Sequence, residues 1–208
     1  MSYTTIDALR SQLGRPASSS AYAEKMLHRI PDAPVVDREA FVLSHCRGER
    51  VVEFGASGAL HIKIVEVAAA VLGVDLVGED VVRFDLDDVT QPTLPGMEFE
   101  PTVVVCAEVI EHLANPGWFL TRVRRQWPHL PVIITVPNAF SEIGRRHLRT
   151  GVENVNRDHC WWPSYRTLKT LLAKSGFAGF SFGWYHGSPL TAEGLVLICE
   201  GAHESDIL

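Results

Sequence analysis

The sequence predicts an α/β protein built on a mostly parallel sheet, and three observations carry that reading. From Arg50 onward, short β-branched runs alternate with helical patterns, the signature of βαβ units and so of parallel strands. The first strand ends in a turn bearing two glycines, within Val51-Val52-Glu53-Phe54-Gly55-Ala56-Ser57-Gly58. A later apolar run, Val103-Val104-Val105-Cys106, leads into Glu108-Val109-Ile110-Glu111-His112. Acids and an imidazole thus stand at the carboxyl end of a strand, where open α/β sheets place their chemistry.

The elements follow in order. Residues 1–49 read as an N-terminal helical cap of two or three short helices, joined by Pro16-Ala17-Ser18-Ser19-Ser20 and by a turn from Pro31 to Pro34. Asp37 is the expected N-cap of a helix carrying Phe41 and Leu43, which Gly48 stops. The main domain, 50–208, opens with a strand at Val51 to Phe54, a helix through Ile62, Ile64, Val65 and Val67, and a strand from Val71 to Leu76. Further strands are expected at Val81 to Phe84, Thr102 to Cys106 and Val132 to Val136. Asn115 and Pro116 begin a helix whose apolar face uses Phe119, Leu120, Val123 and Trp127. A last helix spans Tyr165 to Lys174 before Gly176, and two antiparallel strands, Phe177 to Tyr185 and Leu195 to Ile198, close the edge of the sheet.

Composition narrows the function. The chain has 208 residues, 21% charged and 46% hydrophobic, enough for one sizeable core and ordinary for a globular protein. A net charge of −6 gives no general pull toward phosphate backbones. Arg122, Arg124 and Arg125, or Arg145 and Arg146, read as solvated helix faces in preference to a nucleic-acid patch. Four cysteines, Cys46, Cys106, Cys160 and Cys199, lie far apart with no paired spacing, so neither a zinc knuckle nor a disulfide framework is indicated. The start, Met1 to Gly14, lacks the continuous apolar core of a signal peptide, and no segment approaches the ~20 apolar residues of a membrane span. A cytoplasmic protein is expected, and the sequence leaves a homodimer open.

The glycine turn is neither a phosphate loop nor the dinucleotide Gly-x-Gly-x-x-Gly motif. Its reading as a ligand loop gains from Asp75, about twenty residues on, which can accept hydrogen bonds from both hydroxyls of a ribose. Asp85 closes the next strand and can accept from an exocyclic adenine amine, with the Leu86 N–H meeting a ring nitrogen. Asp85, Asp87 and Asp88 are each equally well read as caps of a solvated loop.

With these residues in order, the chain resembles the class I S-adenosylmethionine-dependent methyltransferases from about Arg50 to its end. The pieces are the Val-Glu-Phe-Gly-Ala-Ser-Gly loop, Gly73-Val74-Asp75, Phe84-Asp85-Leu86, Glu-Val-Ile-Glu-His and Thr135-Val136-Pro137-Asn138. The resemblance implies a Rossmann-like, seven-stranded, mostly parallel sheet with helices on both faces. It also implies S-adenosylmethionine as cofactor, its methionine part over Gly55, Ala56, Ser57 and Gly58, its ribose on Asp75 and its adenine near Asp85 and Leu86. Glu53 stands where that family has an acid that orients the loop and reaches the methionine ammonium. Pro101-Thr102 and Trp127-Pro128-His129-Leu130-Pro131 depart from the family's turns without touching a cofactor contact.

Methyl transfer from a sulfonium needs an acceptor held in line and relieved of its proton. At helical pitch Glu108, Glu111 and His112 share one face and form a half-site that His159 could close. Carboxylate and imidazole donors with open positions suit Mg²⁺ or Mn²⁺. The set is similar to the metal site of the small-RNA 3′-end 2′-O-methyltransferases, two glutamates and two histidines in the same Glu-x-x-Glu-His spacing. The ubiquinone-pathway O-methyltransferases share the string too. Against the metal stands the Glu-His pair that many methyltransferases carry here without one. For the proton, His112, Glu108 and His147, in the loop after the fifth strand, are the candidates. Trp161, Trp162, Trp184 and Tyr185 could wall a sugar or pack in the core.

The segments Arg29 to Glu39 and Asn154 to His159 are similar to those of actinobacterial sugar O-methyltransferases, the mycobacterial methylmannose polysaccharide 1-O-methyltransferases among them. That resemblance implies a sugar or oligosaccharide acceptor. The acidic balance favours a neutral glycan over RNA, whose 2′-hydroxyl is the rival acceptor, with a phenolic small molecule as a further one.

Overall fold

The computed structural model describes residues 29–96 and 98–200. The elements run β1 (Val35–Val36), α1 (Arg38–Cys46), β2 (Arg50–Phe54), α2 (Ala59–Val67), β3 (Ala70–Asp75), β4 (Val82–Arg83) and β5 (Val103–Ala107). After a 3-10 turn, Ile110–His112, come α3 (Pro116–Gln126), β6 (Val132–Pro137), α4 (Glu142–Leu148), α5 (Tyr165–Lys174), β7 (Phe180–Tyr185) and β8 (Gly194–Cys199). All of them lie in one compact unit that begins at Asp32. The helices expected before Arg29 fall outside the described residues.

One sheet runs in the order β1-β7-β8-β6-β5-β2-β3-β4. Its pairings are parallel except for β6 with β8 and β7 with β8. The chain steps outward from β2 through β3 and β4, then returns to the other side of β2 as β5. The loops after β2 and β5 therefore diverge and open a crevice at the carboxyl edge.

Central strands covered on both faces need apolar runs; β5 is one throughout, while β2 and β6 are broken only by the buried Glu53 and Thr135. Beneath α1 and α2, Val42, Cys46 and Ile64 pack on Val51, Val103, Val105 and Ile133, all nearly or fully inaccessible. Val42 and Cys46, from the segment read as cap, thus belong to the core of the sheet. On α3 the Asn115 carboxamide accepts from the Trp118 N–H, Pro116 fills the first turn, and Phe119 meets Phe54 edge to face at 5.0 Å. Ser164 and Thr167 close a capping box at the start of α5. Asp37 caps α1 through the Ala40 N–H.

Four expectations are corrected. The sheet has eight strands, not seven, because Val35–Val36 pairs in parallel with Trp184 and Tyr185. Two residues are too few to show a periodicity. For the same reason β7 does not lie on the edge. Trp184 N–H donates to the Pro34 carbonyl at 2.8 Å, an approach that Gly183, with no Cβ, permits. Third, Arg122 and Arg124 are buried instead of lying on a solvated face, and Arg125 alone of the three is exposed. Fourth, His147 belongs to a helix, α4, which Ser141 caps through the Gly144 N–H, and not to a loop.

Candidate active site

The turn after β2 is shaped by Gly55. Its φ of 81° and a Cβ that would collide with Val109 admit glycine alone. Ala56 is buried at the base of the turn, Ser57 faces the crevice and Gly58 begins α2. Asp75 ends β3 with Oδ1 held by the Leu76 and Val77 N–H groups at 2.6 and 3.2 Å, which leaves Oδ2 for a ligand. Asp85 and Leu86 stand on the same wall, and Glu108 and His112 face them across a cavity of about 540 Å³. The volume lies within the usual range for cofactor sites.

Glu53 lies behind the turn. It is 2% exposed and its Oε2 bonds to His61 Nδ1 at 2.7 Å, on α2. Burial raises the pKa of Glu53 and the His61 hydrogen bond pulls it back. His61 is a residue that sequence reasoning missed: no strand tip announces it, only its helical position above the turn.

The loop after β4 is held by Arg122, read from the sequence as part of a solvated face, and by Asp87 and Asp88. Arg122, 2% exposed, donates to the carbonyls of Leu86, Asp88 and Gln91 and lies between the rings of Phe84 and Trp118 at 5.7 and 5.5 Å. Asp87 accepts from the Ala114 and Asn115 N–H groups at 2.9 and 3.0 Å. Asp88 accepts from both the Thr90 N–H and its hydroxyl, so it is a loop cap whose pKa those bonds lower.

The Glu-Val-Ile-Glu-His string is not one continuous α-helix. Glu108 has φ 56°, a rare conformation for a residue with a side chain, and Val109 precedes the 3-10 turn. The string therefore divides its acids. Glu108 Oε1 accepts from Thr135 Oγ1 and Tyr185 Oη, each at 2.8 Å, and lies 3.4 Å from the Arg38 guanidinium. Burial and the Glu108 charge raise the pKa of Tyr185, which stays a hydrogen-bond donor. Gly194 makes room for the Tyr185 ring, since a Cβ there would lie within it.

Glu111 turns inward instead. It is fully buried, and neither carboxylate oxygen has a hydrogen-bond partner. Burial first, then the Glu108 charge, push its pKa up to about 8. The strap through Cys160 carries His159 to it. Cys160 N–H donates to the Glu111 carbonyl at 2.8 Å, and the Trp161 indole donates to the Ile110 carbonyl at 2.8 Å. The His112 and His159 rings meet edge to face at 4.6 Å, and one donor atom each from Glu111, His112 and His159 lies within 4.8 Å of the others. Burial and His112 hold the pKa of His159 below the usual imidazole value. An orphaned carboxylate beside two imidazoles can hold a divalent cation. Glu108 stands outside this trio.

Glu108 borders a second cavity as well, of about 520 Å³, with His159, Trp161, Trp162, Asn154, Asn156 and Tyr185 among its walls. Trp184 is 1% exposed and packs in the core. His147 lines neither cavity; its Nδ1 is buried without a partner. Among the described residues no helix is long and apolar enough to cross a membrane.

A glycine turn at the switch point, with acids at the next two strand tips and a second cavity beyond Glu108, is a layout suited to a group-transfer enzyme that uses a nucleoside cofactor. Residues 22–181 match the methyltransferase-domain family, and the chain belongs to it: it is an S-adenosylmethionine-dependent methyltransferase. Among solved structures, the small RNA methyltransferase HEN1 is similar at 17% identity and TM-score 0.61, over 85% of this chain and 27% of that one. A SAM-dependent methyltransferase from Archaeoglobus fulgidus is similar at 14% identity and TM-score 0.56, over 88% of this chain and 100% of that one. The 1,6-didemethyltoxoflavin-N1-methyltransferase of Burkholderia thailandensis, solved with its substrate and S-adenosylhomocysteine, is 18% identical with TM-score 0.53, over 79% and 76%. The chain spans only about a quarter of the first of these, and at such identities the likeness is one of fold. No curated protein matches the sequence.

Proposed function

We propose that this methyltransferase methylates a hydroxyl of a sugar or oligosaccharide, a methylmannoside among the candidates, with help from a divalent cation. The observation that carries the reading is the buried, unpartnered carboxylate of Glu111 beside His112 and His159. Glu111, His112 and His159 would hold the cation. Two imidazoles favour Mn²⁺ over Mg²⁺ among the hard cations. When bound, it would lower the pKa of an acceptor hydroxyl.

On the donor side, Asp75 would hold the ribose, Asp85 and Leu86 the adenine, and Gly55 to Gly58 the methionine part, with Glu53 keeping the turn in shape. Glu108, bordering both cavities, stands where the acceptor oxygen meets the donor methyl. Bonds to Thr135 and Tyr185 and the Arg38 charge keep its Oε1 in place, and Oε2 remains to take the acceptor's proton. Trp161 and Trp162 offer faces for a sugar ring, and Asn154 and Asn156 offer amide donors and acceptors for its hydroxyls.

A methyl-transfer screen over mannosides, phenols and short RNAs, with EDTA and with added Mn²⁺ or Mg²⁺, tests this. Release of S-adenosylhomocysteine is expected with the mannosides, suppressed by EDTA and restored by the cation. Transfer only to the 3′-terminal ribose of RNA, with steep salt dependence, would move the assignment to the rival acceptor. Full activity in EDTA would remove the cation.

A further inference from the structure

Beside the acceptor cavity lies a smaller one of about 370 Å³, and the two share the walls Ala139 and Trp162. Phe140 and Leu148 rim it, Gly144 lies buried against it, and Arg145 borders it. Its polar side chains are already engaged within the fold. Ser164 and Thr167 bond to each other in the capping box of α5, and the Arg145 guanidinium bonds to Glu142 at 2.9 Å. An apolar occupant would cover Phe140 and Leu148, which are 58% and 64% exposed. An exposed apolar rim on a cavity that shares two walls with the proposed acceptor cavity is a place for part of an acceptor.

We infer that this annex is an acceptor subsite that takes an alkyl chain carried by the sugar, laid along Trp162 toward Leu148. The inference rests on the sugar-acceptor reading above and deepens it: the preferred acceptor is an amphiphilic glycoside. Selectivity then comes from Leu148 on α4 and from Phe140, while the reacting hydroxyl stays with Glu108 and His159.

Octyl mannoside, kept below its micelle concentration, is compared with methyl mannoside. The expected result is a KM at least tenfold lower for the octyl compound with kcat little changed. Leu148→Asp should abolish that advantage and leave the methyl mannoside KM, cofactor affinity and melting temperature unaltered; Phe140→Ser should do so in part. Equal KM values for the two glycosides, or an octyl advantage that survives in Leu148→Asp, would overturn the subsite. If neither glycoside nor an oligomannoside with a free anomeric hydroxyl is methylated, the sugar reading fails by itself, and calorimetry on the protein saturated with S-adenosylhomocysteine decides the annex. Octyl mannoside binding that Leu148→Asp removes supports it, and absent or unchanged binding overturns it.

Discussion

On the side of Glu108 proposed for the methyl donor the candidate contacts come from βα junctions, each read within a few residues of its own strand: Gly55 after β2, Asp75 at the end of β3, Asp85 beyond β4. On the acceptor side they come from segments far apart in the chain, with His159 brought to Glu111 by a strap tied through Cys160 and Trp161. The donor side is shaped largely by backbone, with a turn only glycine can make and loop carbonyls gathered by one arginine. The acceptor side is shaped by unsatisfied side chains. A site of the first kind tolerates changes of neighbour but not of conformation. The second kind tolerates neither loss of charge nor loss of a ligand.

The largest separation of the two sides is expected from Glu111→Ala and His112→Ala. Turnover should fall about a thousandfold, within the range of losses when acid-base or metal assistance is removed. S-adenosylhomocysteine affinity by calorimetry should stay within threefold, and Mn²⁺ binding by electron paramagnetic resonance should vanish. Retained turnover in both variants would unseat the acceptor half of the comparison. Asp75→Ala is the converse: two hydrogen bonds to a charged group are lost, on the order of 1.5–3 kcal/mol each, so cofactor affinity should drop at least a hundredfold. Mn²⁺ binding should persist.

A smaller effect should follow from Arg122→Gln, which removes the fork that gathers the Leu86, Asp88 and Gln91 carbonyls. The KM for the methyl donor is expected to rise about tenfold with kcat at saturation nearly intact, together with a lower melting temperature, since a buried hydrogen-bonded cation is lost. A fall in kcat alone would show that the loop does not act through the cofactor.

A further effect, on stability alone, concerns pH. Between the ordinary carboxyl value of 4.5 and about 8, the folded chain holds a proton on Glu111 that the unfolded chain has released. Cation-free protein should therefore lose stability as pH rises through that window, by at most about 1.4 kcal/mol per pH unit from this group. Thermal unfolding across the window should show a shallower slope in Glu111→Gln, which is neutral at every pH.

The crevice after β2 was legible in sequence because its evidence is local. An apolar run fixes a strand, the glycine fixes the turn, and an acid at the next strand tip faces the same edge of the sheet. Helix α5 spans the expected Tyr165 to Lys174, since Gly176 stops an amphipathic stretch that carries Leu168, Leu171 and Leu172. The acceptor half was legible as composition but not as geometry. Helical pitch grouped Glu108 with Glu111 and His112, whereas a left-handed φ at Glu108 turned it toward Thr135 and Tyr185.

What the sequence by itself determined was the αβ alternation, the crevice at Gly55 and the acids around it, because hydrophobic period and turn chemistry act over a few residues. What only the tertiary structure decided was the company each side chain keeps. A two-residue strand joined β7 through the Pro34 carbonyl, Arg122 went inward because loop carbonyls needed a donor, and His147 was carried away from both cavities on α4. His159 came to Glu111 through hydrogen bonds between distant segments. Such partnerships depend on distances in space, and a chain's local pattern carries no record of them.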